Sequence, residues 1–290
     1  MTIFDDQPDF IDRDPRTTEG YAVAWSAAEQ EVRYTAWISP EHIKGKRILD
    51  IGCCGAAVGG YAFAHGADHY TGVEIDPSLH QLATENMNKY HADKDWKILK
   101  TSAEDFFDTN TDRYDVAIVA GVIHGVTNYI DFLIKLSKTA DFIIIESIHP
   151  ALPFMNDIFN KLNPHLTTDE DKAWASQLVQ KMEYGYPMIE YSDAGKMILG
   201  DSKGAVTNIL RPLPSMAALK LIMNRLGFAE DIRPYITLKK AQPKQFGAGK
   251  RFGMVFVRNS EAKAMSFKEI VESREMTTMQ WSEMAKESKK

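Results

Sequence analysis

The feature that most constrains this chain is an apolar run followed at once by small residues, ILDIGCCGAAVGG, from Ile48 to Gly60. The apolar run contains the acidic Asp50 near its end and is typical of a short buried strand. The small residues after it predict a tight turn into a helix, where a ligand can approach the backbone beside the helix N-terminus. The same composition also suits close packing of a helix on a strand. The stretch therefore predicts a strand–turn–helix unit and leaves both reasons open.

Apolar strands alternate with helical patterns along the first half of the chain. Strands that are apolar throughout and separated by helices indicate a parallel sheet with helices on both faces. Later strands near 230–238 and 252–258 are joined by a segment of turn composition, so we expect them to pair as an antiparallel hairpin. The predicted fold class is α/β with a seven-stranded sheet. The five strands of the first half are RILDI, HYTGVEI, WKILKTS, YDVAIVAG and DFIIIES.

Residues 151–210 break this alternation. They contain Pro153 and an aromatic-rich stretch, EYGYPMIEY, and we expect them to form a cap inserted after the fifth strand. The acidic residues 1–17 are expected to be mobile except where they cover the fold. The helix after them, which includes Tyr21, Trp25 and Arg33, is expected to fold over the ligand as a lid. The expected parts are 1–40, the acidic segment and lid helix; 41–150, the ligand-binding core; 151–210, the inserted substrate cap; 211–260, the end of the core with the hairpin; and 261–290, a C-terminal helix.

Composition argues against several classes of protein. The net charge of −6 and the pI near 5.8 argue against a protein that coats nucleic acid. No apolar run approaches the roughly 20 residues needed to cross a bilayer, and the N-terminal region is acidic, unlike a signal peptide. Cys53 and Cys54 are neighbours, which rarely reach disulfide geometry, so a reducing cytoplasm is predicted. No spaced cluster of cysteine and histidine occurs, and no metal site is predicted.

Two classes of ligand compete for the small-residue turn. A dinucleotide would require the spacing G-x-G-x-x-G, which Gly52, Gly55 and Gly59 do not have. The carboxylate of Asp50 would repel a pyrophosphate but attract a cationic ligand. Glu74, at the end of the second strand, could bind the ribose of a dinucleotide. The glycine spacing and Asp50 nevertheless favour a cationic ligand.

Four segments resemble the class I S-adenosylmethionine (SAM)-dependent methyltransferases. They are ILDIGCCGAAVGG, YTGVEIDPS, TSAEDFF and YDVAIVAGVIHGV, in the order and spacing of that family. The resemblance covers residues 46–147 and, more loosely, the stretch from LPSMAALKLIMNRLGF to Val257. It implies a Rossmann-like fold, methyl transfer and SAM as the cofactor. The sequence departs from the family pattern D-x-G-x-G-x-G, since Cys54 and Ala56 stand where the second and third glycines usually are.

The resemblance also implies roles for individual residues. Asp50 and Gly52 would open the loop that receives the methionine part of SAM, and Glu74 would accept hydrogen bonds from both ribose hydroxyls. Ser102, Ala103 and Glu104 would border the adenine, while Ala120 and Gly121 would line the floor beside the sulfonium. The complete cofactor-binding set implied in this way is Asp50, Gly52, Cys53, Cys54, Gly55, Glu74, Ile75, Ser102, Ala103, Glu104, Ala120 and Gly121.

The loops after the fourth and fifth strands carry the candidate catalytic residues. Histidine titrates in the range useful for a general base, which makes His124 the first candidate and His149 the second. A purely structural role for His124 is an equal alternative. Candidate substrate residues are the cap tyrosines, which suit a ring-bearing acceptor or simple aromatic packing, and two basic residues of the hairpin loop, which suit an anionic group or a solubilising edge. These residues are Tyr184, Tyr186, Tyr191, Lys250 and Arg251.

The leading hypothesis is a SAM-dependent methyltransferase that acts on an oxygen atom of a small metabolite, such as a sugar or a polyketide. One alternative is a SAM-dependent transferase that modifies tRNA, with the basic hairpin loop against phosphates. Another is a non-catalytic SAM-fold protein that serves as a scaffold, which the altered glycine positions keep open. No membrane partner is expected.

Overall fold

The computed structural model describes residues 2–10, 26–126, 128–148, 188–193, 207–212, 214–231 and 251–259. Its main sheet has seven strands in the order β3-β2-β1-β4-β5-β9-β8. The first five strands run parallel, and β9 is antiparallel to both β5 and β8. These strands are β1 (Arg47–Ile51), β2 (His69–Glu74), β3 (Trp96–Lys100), β4 (Tyr114–Ala120), β5 (Ala140–Ile148), β8 (Phe228–Asp231) and β9 (Arg251–Arg258).

Helices cover both faces of this sheet, as the apolar strands predict. One face packs against α2 (Ala27–Trp37), α3 (Pro40–Ile43), α4 (Ala57–Ala64) and α5 (Pro77–His91). The other face packs against α6 (Ala103–Thr109), α7 (Tyr129–Thr139) and α8 (Met216–Arg225). The predicted seven-stranded α/β fold is confirmed, and the five predicted N-terminal strands are all present.

Polar residues fix where several of these helices begin. The carboxylate of Asp76 accepts hydrogen bonds from the backbone N–H groups of Ser78 and Leu79, and Pro77 follows as the first helical residue of α5. The hydroxyls of Ser102 and Ser215 cap α6 and α8 in the same way. The N-cap at Asp76 fixes the direction in which the chain leaves β2.

Residues 2–10 are docked on the core and belong to the part of the acidic segment that covers the fold. They form α1 (Ile3–Asp6) and a 3₁₀ turn (Pro8–Phe10), and the side chains of Phe4 and Phe10 are fully buried. The Gln30 side chain donates a hydrogen bond to the Phe10 carbonyl. Burial of the two aromatic side chains fixes this segment in spite of its acidic residues.

The chain between β5 and α8 adds no described strand to the main sheet. It forms a separate antiparallel pair, β6 (Met188–Asp193) with β7 (Thr207–Pro212). Strand β7 lies against the 3₁₀ turn Ile123–Gly125 that follows β4. The rest of the expected cap, the hairpin loop at 232–250 and the expected C-terminal helix lie outside the described residues. Among the helices that the structure does describe, none is long and apolar enough to span a membrane.

Candidate functional site

The strand register brings five residues into one row at the carboxyl ends of the parallel strands. Ala120 of β4 is paired with Glu146 of β5, which is paired with Gly253 of β9. On the other side, the pairing of β1 with β2 ends at Ile51 and Val73, and Gly52 and Glu74 are the residues that follow these two. The direction in which successive strands are added reverses between β1 and β4, and ligands of open α/β sheets bind at such a switch point. This row is the candidate site.

The loop after β1 has positive φ angles at the three positions where the family pattern has glycine, although two of them are not glycine. The φ angles are 74° at Gly52, 50° at Cys54 and 63° at Ala56. Cys54 and Ala56 are the two non-glycine residues with positive φ in the described part of the chain. Each such residue costs on the order of 1–2 kcal/mol. The two substitutions that depart from the family pattern therefore leave the loop conformation in place.

Glu74 ties this loop to the end of β2. Its carboxylate accepts a hydrogen bond from the Cys54 backbone N–H at 3.0 Å and another from the Asp76 backbone N–H at 2.9 Å. The residue is only 6% exposed. These contacts fix the orientation of the carboxylate beside the loop, where it suits hydroxyl donors of a ligand.

Asp50 lies below the loop. Its carboxylate is buried and accepts a hydrogen bond from the Tyr70 hydroxyl at 2.8 Å. Burial and then the Asp50 charge raise the pKa of Tyr70, so the phenol keeps its proton and remains the donor. The predicted acidic residue at the strand end is present, and its charge acts on the loop from within the core.

Cys53 is a packing residue. Burial first, and then the charges of Asp50 and Glu74, raise the pKa of its thiol, which disfavours a nucleophilic thiolate. A Cβ atom added at Gly72 would lie 2.7 Å from the Cys53 sulfur, so strand and loop are in close contact here.

Several of the small residues make room for the protein's own side chains. A Cβ atom at Gly59 would lie 2.9 Å from the Tyr70 ring, and one at Gly60 would lie 2.8 Å from the Phe10 ring. At Gly52 an added Cβ would lie 2.2 Å from a methyl group of Val122. Of the two reasons that the sequence leaves open for the small residues, close packing therefore applies at these three positions.

Ile75 and the start of α6 border the other side of Glu74. Ile75 is 53% exposed, which is unusual for a large apolar side chain next to a buried strand and gives a flat ring an apolar surface to pack on. The Ser102 hydroxyl accepts from the Asp105 backbone N–H and donates to the Asp105 carboxylate. Ser102 thus has a capping role, with Ala103 and Glu104 in the first turn after it.

An ion pair that the sequence analysis missed closes the opposite end of the row. Nε of Arg33 in α2 lies 2.7 Å from a carboxylate oxygen of Glu146, and the two side chains are 6% and 0% exposed. The guanidinium also lies over the Trp37 ring, whose indole nitrogen packs against Gly253. Because Arg33 and Glu146 are 113 residues apart, no local pattern could have paired them. Helix α2, which contains Arg33 of the expected lid, thus covers the β5 and β9 end of the row.

Of the remaining predicted residues, some are described by the structure and others are not. Gly121 follows β4 and donates its N–H to the Glu146 carbonyl, and half-buried His124 lies in the next turn, beside β7. Tyr191 lies in β6, and Arg251 begins β9 opposite Ile148, at the same edge of the sheet as the row. His149, Tyr184, Tyr186 and Lys250, like Tyr21 and Trp25 of the expected lid, lie outside the described residues.

Comparison with known proteins gives the same class. Residues 49–139 match the model of a methyltransferase domain. Ribosomal protein L11 methyltransferase of Hahella chejuensis is 32% identical over 53 residues, which is 18% of each chain, so the chain spans about a fifth of that curated relative. A solved structure from Listeria monocytogenes, assigned to the SAM-dependent methyltransferases, superposes with a TM-score of 0.50 at 14% identity, over 81% of this chain and all of the other. Magnesium protoporphyrin IX methyltransferase of Synechocystis, solved with S-adenosylhomocysteine (SAH), gives 0.46 at 14% identity, over 80% and 84%.

The sheet order, the loop at the switch point and the domain match define a Rossmann-like methyltransferase core. The match over residues 49–139 confirms the resemblance to the SAM-dependent methyltransferases that the sequence shows. SAM is the cofactor of this class. By its chemistry, the loop suits the amino acid part of SAM, the Glu74 carboxylate suits the ribose hydroxyls, and exposed Ile75 suits the adenine ring. In the described residues, no group of three or more His, Cys, Asp or Glu side chains could hold a metal ion.

Proposed function

We propose that this chain transfers the methyl group of SAM to an oxygen atom of a small metabolite. The observation that carries the proposal is the row from Glu74 through Gly52 and Ala120 to Glu146, with the loop beside it in glycine-loop conformation. Both cysteines are free thiols, which supports a reducing compartment, and we place the reaction in the cytoplasm.

The β1 and β2 half of the row would hold the cofactor. Glu74 accepts hydrogen bonds from the ribose hydroxyls, Ile75 packs on the adenine, and the loop from Gly52 to Gly55 receives the amino acid part. SAM supplies an activated methyl group on a positively charged sulfur. The contribution of the chain is to hold donor and acceptor in line, because displacement at a methyl carbon depends strongly on orientation.

The β4 and β5 half would hold the acceptor. Ala120 is small and half-buried, and His124 lies in the turn that follows it, beside strand β7. His124 takes the proton of the acceptor hydroxyl during transfer. Arg33 and Glu146 form a buried ion pair at the β5 end of the row. The net charge of −6 favours a small acceptor over a nucleic acid.

Replacing Glu74 tests the cofactor half. We expect Glu74→Ala to weaken SAM binding about tenfold or more, or about 1.4 kcal/mol, because charged hydrogen bonds to the ribose are lost. Glu74→Gln, which keeps the shape, should also weaken binding. Isothermal titration calorimetry with SAM and SAH measures both, and Glu85→Ala on the exposed face of α5 is the control. Unchanged affinity in the Glu74 variants would contradict the proposal.

Replacing His124 tests the acceptor half. We expect His124→Ala to lower turnover about 10²-fold while SAM affinity is kept, because a base contributes to the transfer step alone. The measurement is transfer of radiolabelled methyl from SAM to a panel of hydroxylated metabolites, with bulk tRNA as a comparison. Transfer to tRNA alone, with affinity falling steeply with salt, would contradict the small-molecule acceptor.

A further inference from the structure

The loop after β1 needs restraint from outside itself. Cys54 and Ala56 both hold left-handed backbone angles that side chains other than glycine disfavour. Such angles persist only where the surrounding contacts over-determine them. Glu74 provides one restraint, through the Cys54 N–H. The residue between the two strained positions is Gly55, and its carbonyl has a different partner.

That partner is Asn86 of α5. Its side-chain nitrogen donates to the Gly55 carbonyl at 2.9 Å and to the Asp9 carbonyl at 3.2 Å. Both acceptors are carbonyl oxygens, so only the NH₂ end of the amide can face them. The residue is 4% exposed. A buried amide held by two backbone carbonyls joins the loop to the N-terminal segment, residues 2–10.

The N-terminal segment is itself held on both sides of Asp9. The Phe10 ring packs on Gly60, at a distance that excludes a side chain there, and stacks on His91. The Asp9 carboxylate receives hydrogen bonds from Lys89 and from the Tyr90 hydroxyl. The two hydrogen bonds of Asn86, to the Gly55 and Asp9 carbonyls, are called the Asn86 clamp. Docking of the segment therefore fixes the Asp9 carbonyl at one end of this clamp.

We propose that Asn86 is a positioning residue that makes the shape of the cofactor loop depend on docking of the N-terminal segment. With the segment docked, the amide is desolvated and directed at Gly55, and the strained loop is held ready. With the segment undocked, the amide is solvated and the loop relaxes at Cys54 and Ala56. The coupling of the loop to the N-terminal segment follows from the contacts alone, whereas an effect of Asn86 on SAM binding rests on the proposed function.

Amide hydrogen exchange without cofactor tests the clamp directly. In the full chain, we expect Asn86→Ala to speed exchange in residues 53–57 and in the N-terminal segment together, by about tenfold or more. The matched control is Asn88→Ala, the same residue type on the exposed side of the same helix, which should leave both regions unchanged. Asp9→Ala, which removes the Lys89 and Tyr90 contacts, should give the same pattern more weakly and serves if Asn86→Ala does not fold. Unchanged exchange in the loop while the segment loosens would overturn the coupling.

Calorimetry with ligand fragments separates positioning from general stability. We expect Asn86→Ala to weaken SAM and SAH binding about fivefold or more while methylthioadenosine, which lacks the amino acid part, changes less than about twofold. Adding Cys54→Gly should recover part of the loss, because glycine accepts the left-handed angle. Equal losses for all three ligands would overturn the positioning role. If the unaltered protein bound neither SAM nor SAH but the exchange result held, the proposed function would fail and the clamp would stand.

Discussion

Cys54 and Ala56 hold left-handed backbone angles in the loop after β1, and contacts with distant residues restrain that loop. The substitutions at Cys54 and Ala56 were visible in the sequence, and they suggested a weakened cofactor loop. The sequence could not supply the backbone angles of the loop, because the loop's partners lie 20 and 31 residues away, namely Glu74 on the Cys54 N–H and Asn86 on the Gly55 carbonyl. The small residues indicate that another group lies close to the backbone, and at Gly60 that group is the Phe10 ring.

Cys54 offers a test of the strained angle. We expect Cys54→Val to lower the free energy of unfolding by about 1–2 kcal/mol, because a β-branched side chain is disfavoured at a φ of 50°. Cys54→Gly should be tolerated, since Cys54 is half-buried and little packing is lost. Urea unfolding of the two variants measures the difference. Equal stability would mean that the loop adopts another conformation in solution.

His91 makes stability depend on pH. Its ring is buried between Phe10 and Phe63, with Asp93 and Lys94 nearby, and burial lowers its pKa below the ordinary 6.5. The unfolded state therefore binds a proton more readily, so the free energy of unfolding should fall as pH drops through about 6.5, by at most about 1.4 kcal/mol per pH unit for one histidine. His65 has the same direction of shift.

Urea unfolding between about pH 7.5 and 5.5, above the range where carboxylates titrate, measures this slope. His91→Leu should flatten it, while the matched change His80→Leu, at a partly exposed position, should not. A slope that is the same in all three proteins would contradict the assignment to His91.

At the scale of elements, the strands were predicted well and their partners less well. Apolar runs bounded by turns fix β1 to β5 within a residue or two, because a strand buried on both faces admits few polar side chains. The position of α2 could not be read from its own pattern, since its contacts with the sheet include a buried ion pair and a tryptophan that packs on a glycine. Those contacts involve residues far along the chain.

The Arg33 and Glu146 pair allows a prediction at this scale. Glu146→Leu should lower the free energy of unfolding by about 3–5 kcal/mol, because it leaves a buried guanidinium without its carboxylate. The double change Arg33→Met with Glu146→Leu should recover most of that loss, since neither charge is then buried. A double-mutant cycle by chemical denaturation measures the coupling. A double variant as unstable as the single one would show that α2 docks by other contacts.

At the scale of the whole molecule, the site divides into two halves of different origin along the chain. The proposed cofactor half comes from β1, β2 and their loops, within residues 47–76, and carries the motifs of the sequence resemblance. The proposed acceptor half combines Arg33, Ala120, Glu146 and Gly253, drawn from three distant parts of the chain. Local motifs indicate the first half, whereas the ion pair and the tryptophan–glycine contact of the second half leave no local pattern in the sequence.

Strand β9 enters the sheet between β5 and β8, although it is the last of the described strands to be synthesised. Until residue 258 has left the ribosome, the outer edge of β5 therefore has no neighbour and Trp37 has no glycine to rest on. A nascent chain can assemble the β1 and β2 end of the row early, but the β9 end is completed only after residue 258 has been made.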